Sequence, residues 1–159
     1  MSVSRKYTVI TSVSLSLTLL ISGCLENKAS QCQRLIQAVN EGNALIDKNK
    51  GQQVTTSLQL SKDLEAVTKS IEQLNLQDPK LKEYQSRFAK VFKNLSQGIA
   101  KAGKALGLAK TAEASPSGRQ KLQLARAEID TALTAVGKTA GKDSDKLVSD
   151  LNKYCSQPE

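Results

Sequence analysis

Between residues 52 and 75, apolar side chains fall at Leu60, Leu64, Val67, Ile71 and Leu74, a 4-3-4-3 spacing. On a helix these steps line all five up on one side, whereas a half-buried strand needs alternation by two. Steps of three and four recur along the chain. They run through Cys32, Leu35, Ile36, Val39, Asn43 and Ile46, and then through Leu81, Tyr84, Phe88, Val91, Leu95, Ile99, Ala102 and Leu106. The last stripe is Leu122, Ala125, Ile129, Leu133, Val136 and Ala140, followed by Leu147, Leu151 and Tyr154. Ala, Leu, Lys and Gln, which lose little on entering a helix, dominate throughout. The chain is therefore predicted to be all-α, with its stripes packed against one another.

Proline and glycine divide this pattern. Asp78-Pro79 reads as an N-cap followed by proline at the first helical position, Gly51 as a stop, and Ser115-Pro116-Ser117-Gly118 as a loop. Four helices follow, at about 29–49, 52–75, 79–112 and 119–154. In the third, Gly98, Gly103 and Gly107 each cost roughly 1 kcal/mol of propensity relative to alanine, so its second half should be thinner and more easily opened. Gly137 and Gly141 permit a kink or break in the last helix near 141–144, with Asp143 or Ser144 able to cap a restart. The expected architecture is a four-helix up-and-down bundle. At 159 residues a single domain is the natural reading.

The first two dozen residues belong to a different category. Arg5 and Lys6 precede an uncharged run from Val9 to Ile21 that is short for a permanent membrane span. It ends in Leu20-Ile21-Ser22-Gly23-Cys24. An ordinary secretory signal with a chance cysteine, or an uncleaved anchor, would also fit this composition. The full arrangement resembles the bacterial lipoprotein signal peptide. Ile21, Ser22, Gly23 and Cys24 match the aliphatic residue, the two small residues and the cysteine of its lipobox. The resemblance covers residues 1–24 and implies cleavage after Gly23 and lipidation of Cys24. It divides the chain into a signal peptide (1–23), a short membrane tether (24–31), a helical domain (32–155) and a tail (156–159). It also implies a lipid-anchored place in the bacterial cell envelope. Leu25, standing where an aspartate would otherwise follow the lipid cysteine, is similar to outer-membrane sorting, with the domain facing the periplasm.

With Cys24 assigned to lipid, Cys32 and Cys155 remain, near the two ends of the mature chain and outside the cytosol, where disulfides persist. A Cys32–Cys155 disulfide is the expectation; free buried thiols or an intermolecular bridge are the alternatives. Such a bond needs the two Cα atoms within about 7 Å. In an up-and-down bundle an even number of passes brings the chain ends together, so the bridge favours four over three. Its closed end should lie next to the tether, near the 75–78 loop, and the 115–118 loop should lie at the far end.

Chemistry is narrowly bounded. The chain contains no histidine, which removes Ser-His-Asp and Cys-His activation, the usual catalytic zinc sites and the Glu-x-x-His elements of di-metal bundles. The near-P-loop Gly98-Ile-Ala-Lys-Ala-Gly103-Lys104-Ala105 lacks the Ser or Thr that would hold magnesium and sits in a helical pattern. Asp143, Asp145 and Asp150 lack EF-hand spacing. No metal, cofactor or catalytic residue is therefore predicted.

Charge is more informative. Loss of residues 1–23 removes Arg5 and Lys6, taking 23 basic and 15 acidic side chains to 21 against 15, or +6. Between 79 and 110 there are eight basic residues and one acid, Glu83. Lys90, Lys93, Lys101 and Lys104 fall near one helical stripe and are the candidate partner-binding residues, for an envelope protein or an acidic envelope component. A merely solvated face is the alternative. Nucleic acid is not expected, because the compartment is wrong and aromatics do not interleave with the charges. The functional expectation is a membrane-anchored, non-enzymatic accessory, adaptor or assembly subunit of the envelope. The alternative is a bundle that opens between 98–110 and 129–141 to take an apolar ligand or lipid.

Overall fold

A computed structural model describes residues 26–49, 54–138 and 142–157. Five helices follow in order: α1 (Lys28–Lys48), α2 (Val54–Glu72), α3 (Pro79–Lys110), α4 (Pro116–Val136) and α5 (Lys142–Cys155). The fold is an all-α bundle, and the expected four-helix bundle is corrected to five. The run read as one helix over 119–154 is two, because α4 ends at Val136, before Gly137, and α5 begins at Lys142. Asp143 and Ser144, expected as caps of a restart, instead lie in the first turn of α5.

The Cys32–Cys155 disulfide is present, with its Cα atoms 5.8 Å apart. Five helices are compatible with this closure because α4 and α5 run in the same direction. Val136 of α4 lies against Gly98 in the middle of α3, and Tyr154 of α5 lies beside Tyr84 near its start. Together α4 and α5 make one antiparallel pass along α3, which at 32 residues is about 48 Å long. The parity that matters is that of passes, not of helices.

Asp78 caps α3 by accepting from the N–H groups of Lys80 and Leu81, and Pro79 occupies the first helical position. The same grammar starts α4. Ser115 Oγ accepts from the Gly118 N–H at 3.0 Å, with Pro116 first in the helix. Ser115 to Gly118, expected as a loop, is therefore a helix start. Gly118 is needed there because a Cβ would overlap the Glu113 backbone.

The main core joins α1, α2, α5 and the first half of α3. Leu35, Leu64, Ile71, Leu81, Phe88, Leu147 and Leu151 are among its fully enclosed side chains. Gly42 of α1 has no room for a Cβ because the Phe92 ring of α3 lies against it. Between α2 and α3, Ser61 Oγ donates to Ser96 O at 2.9 Å and Ser96 Oγ to Ser61 O at 2.8 Å, which satisfies both buried hydroxyls. Beyond Gly98 the packing changes character. Among the described residues α4 has close backbone neighbours only in α3. The buried side chains of this pair, Ala105, Ala125 and Ala132, lie outside the main cluster.

Candidate functional site

α3 puts its apolar stripe inward, so the residues between the stripe positions fall on its outer face. Lys90, Lys93, Lys101 and Lys104 are all exposed there, and none has an ion-pair partner among the described residues. From Lys90 to Lys104 the row spans about 21 Å at 1.5 Å per residue.

The four lysines share a face but not a groove. Lys90 and Lys93 border a shallow surface groove of about 420 Å³ with Lys82, Gln85, Ser86, Ala89 and Glu72. Lys93 also borders a depression of about 250 Å³ that Glu65, Thr68, Lys69 and Glu72 of α2 enclose from the other side. Lys101 faces α4 instead, across a groove of about 240 Å³ whose α4 wall is Ala132, Ala135 and Val136. The first half of the row thus has carboxylates from α2 nearby, while the other residues that line the groove beside Lys101 are uncharged. Spacing within α3 marks Lys90, Lys93, Lys101 and Lys104, but Glu65 and Glu72 join them only through the pairing of α2 with α3.

The groove between α3 and α4 also bears on the expected apolar-ligand cavity. Val136 packs directly on Gly98, where a Cβ would overlap it. What separates those stretches is an open surface groove, not an enclosed chamber; residues 139–141 lie outside the described residues.

At the opposite end of α3, the disulfide sits within a dense polar network. Gln31 is buried, and its side-chain oxygen accepts from the Gln77 N–H at 2.6 Å and the Asp78 N–H at 3.0 Å. Its amide donates to Glu26 O at 2.7 Å. Arg34 pairs with Glu26 and donates to Asn75 O at 2.9 Å. Gln85 Nε2 donates to Ile71 O and Leu74 O, a second donor for carbonyls that also accept from the Leu74 and Leu76 N–H groups where the chain leaves α2. Tyr154 donates its hydroxyl to Asp78 Oδ2 at 2.8 Å, and its ring lies 4.3 Å from Lys28 Nζ. That bond to Asp78, followed by burial, pushes the Tyr154 phenol up to about 12. Burial alone would raise Asp78. Donation from Leu81 N–H, Tyr154 and Lys80 N–H, with the charge of Lys28, outweighs it and holds the carboxyl below its ordinary value.

Cys24, the expected lipidation site, and the preceding signal segment lie outside the described residues. Glu26, two positions later, is already part of the network just described. Among the described residues no helix is long and apolar enough to cross a membrane, and no group of three or more His, Cys, Asp or Glu is placed to hold a metal. No protein-family model matches the chain, and no curated protein or solved structure matches it either.

Proposed function

We propose that this chain is a membrane-anchored, non-enzymatic lipoprotein of the bacterial envelope. It acts as an accessory, adaptor or assembly subunit through protein–protein contact, and presents the outer face of α3 to an acidic partner. The observation that carries this reading is the row Lys90, Lys93, Lys101 and Lys104, exposed along one face with no fixed ion pair among the described residues. Unpaired charges of one sign steer encounter with a complementary surface and set its salt dependence. The anchor is Cys24, by resemblance of residues 1–24 to a lipoprotein signal. Because Glu26 is tied to Ser30, Gln31 and Arg34, such an anchor would hold the body with little slack.

Cross-linking in native membranes, with mass-spectrometric identification of the captured protein, tests the reading. Substitution K90E/K93E/K101E/K104E is expected to abolish capture while circular dichroism stays unchanged. Capture that persists at physiological salt would rule out this face. The intact mass of the mature protein tests the anchor, which predicts loss of residues 1–23 and an acylated Cys24.

A further inference from the structure

Among the described residues, the large apolar side chains that remain exposed gather in one part of the molecule. Leu106, Leu108, Leu122, Leu124 and Leu133 are all on the end of α3 or on α4. α4 has α3 on one side and no other close helix among the described residues. Its face toward α3 is made by Gly118, Ala125 and Ala132. At about 100° per residue, Leu122, Leu133, Arg126 and Asp130 fall within a sector of about 80° on one flank of that face. Leu122 and Leu133 are 36% and 49% exposed, and Arg126 and Asp130 have no ion-pair partner among the described residues.

This flank is complementary to itself in one orientation only. We propose that it binds a second copy of this chain, with the two α4 helices antiparallel about a two-fold axis between Ala127 and Glu128. That axis puts Leu122 level with Leu133 of the second copy. It brings Arg126 within one residue step, about 1.5 Å along the axis, of Asp130 of the second copy. Each contact occurs twice, as a self-complementary interface requires. Parallel pairing instead sets Arg126 against Arg126 and Asp130 against Asp130, and like charges placed so oppose association. Arg119, also exposed in this sector, falls level with Val136 of the second copy, outside the span from Leu122 to Leu133 in which the order apolar, basic, acidic, apolar carries its own partner. The inference stands apart from the lysine row, which lies on the outer face of α3.

Sedimentation velocity on the full mature chain tests it. The unmodified protein is expected to dimerise at about 100 µM. R126E and D130R, each placing two like-charge contacts in a homodimer, are each expected to weaken pairing by about tenfold or more. Mixed in equal amounts, these two variants are expected to dimerise with each other. In the mixed pair the introduced carboxylate of one variant meets the introduced guanidinium of the other. The retained Asp130 of the first likewise meets the retained Arg126 of the second. An ion pair within one helix could not produce that rescue, since neither variant has its own pair intact. Unchanged circular dichroism and an intact Cys32–Cys155 bond establish that both variants fold. A monomeric unmodified protein, whether its flank is bare or covered by a foreign partner, would overturn the proposal, as would a mixture that stays monomeric.

Discussion

The two ends of α3 are held by different means. At its start, large side chains from α1, α2 and α5 surround Leu81, Tyr84 and Phe88, and a disulfide and a polar network close the end. At its other end the same helix meets α4 through alanine, glycine and Val136 and meets α2 through Leu58 at Gly103, and leucines remain exposed. Small residues let helix backbones approach closely but bury little apolar area, and stabilisation by burial follows area. One continuous helix thus belongs to a strongly held body and to a weakly held hairpin.

The largest expected effect tests whether the disulfide underlies that contrast. It closes a loop with a sequence separation of 123, for which chain entropy gives about 5 kcal/mol. Native-state hydrogen exchange on the oxidised protein should show amides of 60–71 and 81–92 opening only with global unfolding, and amides of 116–136 opening earlier. In C32S/C155S, denaturant unfolding should show a loss of about that size, with protection of the body falling to the level of the hairpin. If exchange in α4 already matched the body in the oxidised protein, the contrast between the two ends would fail.

Much of this arrangement was legible in the residues, and where it was not the cause is physical. Asp78-Pro79 was readable as a helix start because capping is local chemistry. Ser115-Pro116 uses the same chemistry, yet Ser117-Gly118 beside it suggested a loop. That glycine serves close passage of the Glu113 backbone, a contact that composition does not express. A break in the last helix was readable near 141–144 from Gly137 and Gly141, but the end of α4 at Val136 was not, because α4 and α5 continue along α3 in one direction. Apolar residues therefore recur at steps of three and four on either side of it, through Val136 and on to Leu147. The disulfide was readable from the positions of Cys32 and Cys155 under the expectation that Cys24 is lipidated outside the cytosol. The lysine row followed from spacing within one helix, but the carboxylates Glu65 and Glu72 reach it through tertiary pairing, and so does the bonding of Gln31 to the 77–78 backbone.

Two glycine substitutions are expected to have smaller effects, of opposite sign at the two ends. Gly42 lies against the Phe92 ring, and a methyl group there must displace a packed aromatic. Gly42→Ala is expected to destabilise by about 1–3 kcal/mol, as overpacking does. Gly107, in the hairpin, has open space where its Cβ would stand. Gly107→Ala is expected to stabilise by about 1 kcal/mol at most through helix propensity. Thermal melts of the two variants would decide. Equal destabilisation by both would mean that the hairpin is packed as tightly as the body.

The smallest effect probes the polar closure of the body through pH. Tyr154 has its phenol raised to about 12 by donation to Asp78 and then by burial. A group whose folded value exceeds its unfolded value of about 10 adds stability that is complete below pH 10. That stability is lost as pH rises from 10 towards 12. Asp78 behaves in the opposite sense. Its carboxyl is held below 3.8, so its contribution is complete above that value and disappears as pH falls through its lower folded value. Comparing Tyr154→Phe with the unmodified protein by denaturant unfolding isolates the alkaline limb. The stability difference should be level from neutral pH to about 10 and should shrink above it. A difference that grows above pH 10 would contradict the bond. Exchange in 116–136 should not distinguish the two proteins at any of these pH values, since Tyr154 and Asp78 lie at the other end of α3.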